Sequence, residues 1–539
     1  MTIDPITLEV LRHALAAVAE EMNANLVRSA YSPNIKERRD CSCAVFDASG
    51  TLVAQAESIP VHLGAMPFSV AELLRQSGDL APGDVIVSND PYAGGAHLPD
   101  LTFVAPVFAG ERLFALVANR AHHADVGGRA PGSLAGDSTE IYQEGLRIPA
   151  VKLWRRGTLD QDLLSLILTN VRTPAEREGD LRAQRAACAT GEARLQDLIR
   201  RHGTVLLAQA MTAVTDYSER RMRAAILALP EGSAAYEDVL DGDGVDDRPI
   251  RITVRVEKKG DTLRVDYTGS SPQVAGPVNA VYAVTASATY FAVRALTDPG
   301  IPPNAGCYRP IEIVAPQGTV VNASLPAPVV GGNLETAQRL VDVILGAFFQ
   351  IAPERTVAAC QGTMNNVAIG GADPRNGRAY TLYETIGGGF GARPTRDGVD
   401  GVHSHMTNTL NTPVESLELA YPLRVERYEL IAGTGGRGRF RGGLGIRRDL
   451  TMLDHAATVS LLTDRRQSHP YGLDGGEPGS CGQNVLIRHG EEFPLPAKGT
   501  FSLAAGETVS VRTPGGGGYG DPAGRDPSRV ERDRRERRL

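Results

Sequence analysis

Cysteine is scarce: six residues in 539, with Cys41 and Cys43 as a lone C-x-C pair and Cys188, Cys307, Cys360 and Cys481 scattered. That excludes a disulfide framework and a zinc-ribbon spacing, and the thiols read as reduced and mostly buried. Long apolar runs are missing as well. No stretch reaches the ~18 uncharged apolar residues of a membrane helix. The opening MTIDPITLEVLRHALAAVAEEMNANLVRSA has acidic residues early and no uninterrupted apolar core, so it does not read as a signal peptide, and a cytoplasmic location is expected. Positive charge is in deficit. The 56 Lys and Arg against 63 Asp and Glu give a net charge of -7, which leaves no footprint for nucleic acid or an anionic membrane. There is no G-x-x-x-x-G-K-[ST] loop and no G-x-S-x-G elbow. Gly433, Gly435 and Gly438 match G-x-G-x-x-G, but their surroundings are arginine-rich and no apolar helix follows, so dinucleotide binding is rejected.

What is present suits a globular protein: 42% hydrophobic and 22% charged residues. At roughly 100–200 residues per domain the length suggests about three units. The expected divisions are an N-terminal unit over 1–230, a strand-rich unit over 231–330, a glycine-rich unit over 331–522 and a charged tail over 523–539, whose RDPSRVERDRRERRL should be solvated and frayed. Leu8, Leu11, Leu15, Val18, Met22 and Leu26 recur at three or four, which predicts a helix over 5–30. CSCAVFDASGTLVAQA reads as a hairpin over 41–56, GAMPFSVAELLRQSG contains a helix, and DVIVSND is a short strand. LTFVAPVF (101–108) and RLFALVAN (112–119) read as two strands around a turn at 109–111. Residues 158–230 are mostly helical, and IRITVRVEKKGDTLRVDYTGS is a pair of alternating strands turning at Gly260 and Asp261. GGGFGARP, GTGGRGRFRGGLG and TPGGGGYGDP are interrupted by aromatic and apolar residues, so ordered loops are expected rather than linkers. The order is no regular βαβ alternation. The fold class expected is α+β, multi-domain, with several mixed or antiparallel sheets.

PYAGGAHLPD (91–100) and HHADVGG (122–128) bracket the 101–119 hairpin. With its turn near Gly110 and Glu111, Asp100 faces Ala121 and His122 faces Pro99, and paired Cα atoms lie about 4.5–5.5 Å apart. His97, Asp100 and His122 then meet at the hairpin's open end. A one-residue register shift would bring in His123, and His123 and Asp125 stay as further candidates. Two imidazoles and a carboxylate are a divalent-metal donor set, suited to Zn, Mn or Fe rather than Ca. Asp40, just before the first strand of the 41–56 hairpin, could join them. Glycines 94, 95, 127 and 128 would let the backbone turn tightly around such a site. The plainer reading is hydrogen-bonded histidines at a strand end, with Asp90 and Asp100 capping turns. Elsewhere, His62 in IPVHLGAM reads as a satisfied core histidine. His403 and His405 read as a second polar site or as loop histidines satisfied by water. Arg437, Arg439 and Arg441 read as an anion-facing or acid-pairing strand edge.

SNDPYAGGAHLPDLTF and ANRAHHADVGG resemble the B subunit of the hydantoinase and oxoprolinase family. NIKERRDCSCAVFD, IPVHLGAM, EGLRIPAVKL, NTPVESLELAYPLRVERYEL, GGRGRFRGGLG and TPGGGGYGDP are similar to that family's segments in its order, from about residue 3 to 522. The resemblance implies a hydantoinase A-like partner with an actin-like ATPase fold, which binds ATP and Mg and phosphorylates a lactam or imide carbonyl. The B subunit would then complete hydrolysis of the cyclic amide at a metal centre, the pair forming a heterotetramer of two copies each. The family's metal motif falls on His97, Asp100 and His122, with Asp40 as a further acidic group. The missing P-loop fits, since ATP would belong to the partner. The chemistry is sound: resonance protects the ring amide, phosphorylation makes its oxygen a leaving group, and a metal lowers the pKa of water from 15.7 to about 7. Ala96 stands where the family often has Thr, a neighbour of a ligand rather than a ligand. The alternatives are the matching subunit of an acetone- or acetophenone-type carboxylase and a non-catalytic scaffold for the ATPase. HLPD and HHADVGG look more like the hydrolase versions.

Overall fold

Asp4 accepts the Thr7 amide at 3.0 Å and Pro5 opens the first helix, Pro5–Ser29. The computed structural model describes residues 3–56 and 58–539. Leu11, Leu15, Val18, Met22 and Leu26 form the helix's buried face, which packs on the long helix Pro174–His202 and on strand β1 (Cys41–Asp47). β1 turns into β2 (Leu52–Gln55) around the Asp47 carboxylate, which accepts the Ser49 and Thr51 amides at 2.9 Å. With β3 (Val85–Ser88), β4 (Asp100–Ala109), β5 (Arg112–His122), β6 (Val151–Arg155) and β7 (Thr158–Leu159) these strands make an antiparallel sheet of order β2-β1-β5-β4-β3-β6-β7. Alternation assigns its two faces. Cys41, Cys43 and Val45 join the core under the two long helices, while Ala44 and Phe46 meet Met66, Val70 and Leu73 of the helix Pro60–Gln76.

Helices Gln161–Thr169, Pro174–His202 and Thr204–Leu227 fill the segment expected to be helical. A mixed four-stranded sheet follows, in which Thr262–Asp266 pairs in parallel with Ile311–Val314 and antiparallel with Ile250–Lys259. The C-terminal part holds a four-stranded and a five-stranded antiparallel sheet. The architecture is α+β with several mixed and antiparallel sheets. One apolar cluster runs from Leu11 to Leu462, across residues 230 and 330, and a second spans Val367 to Val511. No helix among the described residues is long and apolar enough to cross a membrane. All six cysteines are free, and only Cys481 is not fully buried.

Three local readings meet the structure differently. The β4–β5 register follows the expected count only at its tip, Phe108 opposite Leu113 and Ala109 opposite Arg112; a bulge between Val107 and Phe108 then shifts it by one, so Asp100 lies opposite His122 rather than Ala121. The closing segment is not frayed: it forms the helix Pro527–Arg535, docked by Arg525 on Asp397 (2.8 Å) and by the buried Asp533 on Arg525 (2.6 Å). Ion pairing with the body outweighs the tail's charge. The glycine-rich loops are ordered, as expected, by threading through one another: Gly389 donates to Pro514 O, Gly436 to Gly516 O, and Gly443 to Phe390 O, at 2.8–3.0 Å. A Cβ on Gly389, Gly442 or Gly516 would sit inside the facing backbone.

Candidate metal centre

The loop before β4 is built to hold one side chain inward. Asn89 pins it from within, donating to Leu98 O (2.7 Å) and Leu146 O (2.9 Å) while accepting the Ile148 amide (2.7 Å). Asp90 caps the turn Pro91–Ala93 and pairs with Arg147 at 2.8 Å. Gly94 then takes φ 82°, with its α-carbon so close to the Phe68 carbonyl that a side chain would collide. The turn closes with the Asp100 amide on His97 O at 3.1 Å. His97, Asp100 and His122 emerge fully buried on one face of the β4–β5 end.

Three donor atoms meet there. His97 Nε2 is 3.0 Å from Asp100 Oδ1 and 3.2 Å from His122 Nδ1, and His122 Nδ1 is 3.1 Å from Asp100 Oδ1. His97 Nδ1 faces the Val330 carbonyl at 3.3 Å. A carbonyl only accepts, so Nδ1 carries a proton and Nε2 is turned toward Asp100 and His122. Burial pushes His122 below its usual range despite its hydrogen bond to Asp100, which favours the neutral ring at pH 7. Burial would raise Asp100, but His97, His62 and His122 outweigh it and hold its carboxyl well below the ordinary range. One proton can bridge one side of this triangle, not all three. A cation at its centre satisfies every side. Two imidazole nitrogens and a carboxylate oxygen this close together are a donor set that would suit a first-row divalent cation. Among the described residues this is the one group of at least three such side chains with ligand atoms this close together.

Residues 4–522 match the family described as hydantoinase B/oxoprolinase. The chain belongs to the hydantoinase B/oxoprolinase family. It is 44% identical over 541 residues to an uncharacterised protein of Methanocaldococcus jannaschii, covering 100% of this chain and 94% of that one. It is 38% identical to 5-oxoprolinase 1 of Arabidopsis thaliana, covering 96% of this chain but 42% of that protein. The chain thus spans about two fifths of the length of the 5-oxoprolinases it matches. The crystal structure of the ATP-dependent caprolactamase from Pseudomonas jessenii superposes with a TM-score of 0.93 at 33% identity, over 100% of this chain and 95% of that one. Acetone carboxylase, at 20% identity and a TM-score of 0.92 over 99% of this chain and 78% of that one, shares the fold.

Around the triad of this hydantoinase B chain lie supports that the sequence left unread. Tyr383 stacks on the His122 ring, centroids 4.5 Å apart, and the buried Arg38 lies 4.9 Å from the other ring, Tyr383, donating to its carbonyl at 2.9 Å. Asn34 donates to His122 O at 2.6 Å. Glu144, fully buried and pushed up to about 8 by burial, accepts the Val329 and Val330 amides at 3.1 and 3.0 Å and so fixes the carbonyl that orients His97. His62 is buried, as expected of a core histidine, yet its Nε2 lies 3.4 Å from Asp100 Oδ2 and 3.8 Å from Asp40 Oδ1. Only the IPVHLGAM segment hinted at it. Asp40 thus faces His62 beside the triad, and its backbone carbonyl accepts the His122 amide at 3.0 Å.

His123 and Asp125 point elsewhere. With the observed register His123 falls on the opposite face, where Nε2 meets Gln184 Oε1 at 2.9 Å and burial, with Arg177, lowers it to about 4. Asp125 is spent on Arg172 (2.9 Å) and the amides of Gly127 and Gly132. His403 and His405 diverge: His403 meets Asn411 at 3.0 Å, and His405 lies 3.3 Å from the buried Asp342. Arg437 and Arg441 pair with Glu477 (2.7 Å) and Asp400 (3.0 Å), which makes that edge acid-pairing.

An open chamber of about 390 Å³ lies nearby, lined by Pro60, Gly64, Tyr290, Phe291, His405 and Thr407. Thr407 also borders a narrow cleft of about 20 Å³ that touches Asp40, His62 and His122. Ser287 holds the wall between them, donating to Pro60 O and Val61 O at 2.9 and 3.0 Å, and Gly64 lets its helix close on Ser287.

Proposed function

We propose that this chain is the hydrolytic subunit of an ATP-dependent cyclic-amide hydrolase. The observation that carries the reading is the buried His97–Asp100–His122 donor triangle, in a chain of the hydantoinase B/oxoprolinase family. The caprolactamase likeness supports a lactam as substrate. The likeness to acetone carboxylase bears on architecture and leaves the carboxylase reading without support of its own.

His97, Asp100 and His122 would hold the cation, Zn, Mn or Fe by their donor types. Such a cation supplies Lewis acidity that makes water a nucleophile at neutral pH. The chain's own residues do the rest. Val330 and Glu144 keep His97 Nε2 aimed inward. Tyr383 fixes the plane of His122. Asp40, its carboxylate beside His62, accepts the proton of the attacking water at Oδ1. ATP and Mg belong to an actin-fold ATPase partner, two copies of each chain forming the assembly, and the carbonyl arrives activated by phosphorylation.

The test is ring opening by the chain co-expressed with such a partner, scored on 5-oxoproline, hydantoin and caprolactam with Mg-ATP. Opening of at least one ring, lost on chelation and restored by Mn or Zn, supports the reading. ATP turnover with no ring opened sinks it.

A further inference from the structure

The cleft beside the triad contains one side chain that no other residue uses. Asn333 stands in the π-helical turn Gly332–Thr336 and is 2% exposed. Its carboxamide borders the same cleft as Asp40, His62 and His122, and its Oδ1 has no hydrogen-bond partner among the described residues. A buried amide left unpaired costs about 1–3 kcal/mol. π-turns of this kind gather at functional sites. The neighbouring Asn279 and Asn366, also buried, are each bonded to carbonyls or side chains around them. Packing therefore does not account for the free one.

We propose that Asn333 reads the ring nitrogen of the substrate. A small ring forces its amide into the cis form, so the C=O and N–H lie on adjacent edges. A carboxamide presents an acceptor and a donor side by side in the same way. Asn333 Oδ1 can accept the N–H of the intact ring amide. Once the carbonyl oxygen is phosphorylated and the N–H proton has been released to solvent, the ring nitrogen of the neutral imidate carries a lone pair, and Asn333 Nδ2 can donate to it. The ring itself would rest in the 390 Å³ chamber, whose lining shares Thr407 with the cleft, with its amide edge turned toward Asn333. The substrate class is thus a cyclic amide with an unsubstituted nitrogen. An N-alkyl ring meets Asn333 with neither a donor nor a lone pair, and a polar group built to bond a partner rejects the analogue that lacks it. Asn333 is a positioning residue, and this inference rests on the cyclic-amide reading above.

Saturation-transfer NMR on the full chain loaded with Mn-free Zn, using 2-pyrrolidinone and N-methyl-2-pyrrolidinone as probes, tests it. The expected result is affinity for the N–H lactam at least about tenfold above its N-methyl derivative, with the ratio falling to about one in Asn333→Ala. The wild-type comparison needs no variant, and unchanged zinc content and circular dichroism show that Asn333→Ala is folded. Equal binding of the two lactams, binding of neither, or a ratio that survives in Asn333→Ala overturns the assignment. The two readings fail separately. Discrimination by Asn333 without any ring opening sinks the hydrolase and leaves the recognition. Ring opening of an N-methyl lactam at the N–H rate sinks the recognition and leaves the hydrolase.

Discussion

Two buried polar clusters sit in this molecule, and they are put together on opposite principles. Around Asp342 every charge has an answer. Arg465 bridges Asp342 (3.0 Å) and Asp238 (2.6 Å), Arg339 and Lys498 hold Asp464 at 2.9 and 2.7 Å, and His405 lies against Asp342. Burial works against a charge on His405, yet Cys360 and Asp342 push it up to about 10, so it belongs to the ionic set. Around Asp100 the carboxylate instead meets only imidazoles, those of His97, His122 and His62, with no arginine or lysine paired to it among the described residues. A cluster closed by its own charges has a structural task. A carboxylate ringed by imidazoles, with no arginine or lysine of its own, is a donor set that a cation from outside would complete. Burial is equal in the two; what separates them is whether the protein itself supplies the cations.

His97→Ala attacks that contrast most directly. It should remove bound metal and lower ring opening by about 10³-fold or more, since the metal's share of the barrier is several kcal/mol, while the thermal midpoint of the metal-free protein hardly moves. Elemental analysis beside the assay checks it. Metal at the wild-type level in the variant would mean the ligands lie elsewhere. Asp40→Asn is next. It keeps the shape and removes the charge facing His62, so metal should stay and ring opening should drop about 10²–10⁴-fold, the span of a lost general base. A rate within a few-fold of wild type would leave Asp40 a spacer. On the other side, Lys498→Met leaves Asp464 partly uncompensated and should destabilise the fold by about 3–5 kcal/mol, seen as a lower urea midpoint, with metal content unchanged. Loss of metal together with stability would erase the distinction between the clusters.

The contrast explains what could be read in the chain beforehand. His97, Asp100 and His122 lie within one hairpin and its flanks, so turn counting placed them at the same open end, in a register one residue off that set Asp100 opposite Ala121. The bulge that sets Asp100 opposite His122 is a packing event near Phe108, and nothing in the local residue pattern announces it. It also decides between His122 and His123, because a shift of one residue exchanges the faces. His62, Tyr383 and Glu144 come from other elements and are brought to the triad only by the fold. The Asp342 cluster was beyond reach for the same reason: Asp238 and Arg465 are 227 positions apart. The class of fold was legible from alternating and helical periodicities. The docking of the tail was not, since RDPSRVERDRRERRL looks solvated until Asp397 is placed beneath Arg525.

The smallest predicted effect lies in the closed cluster and concerns acid. Burial alone would raise Asp464, but Lys498 and Arg339, with their hydrogen bonds, hold it at about 2 against an ordinary 3.8. A carboxyl depressed in the folded state binds its proton more readily when unfolded. Its stabilisation is therefore fully present above about pH 4 and is lost as pH falls toward 2. A shift of this size corresponds to about 2 kcal/mol. Asp464→Asn carries no charge at any pH, so it isolates the effect: its thermal midpoint should lie below wild type at pH 6, and the gap should narrow steadily between pH 4 and pH 2. The same scan on Asp100→Asn should show no comparable closing gap once metal is bound, because a ligand held by a cation resists protonation until the cation leaves. An Asp464→Asn gap that stays constant down to pH 2 would mean that Asp464 acts through packing and not through its charge.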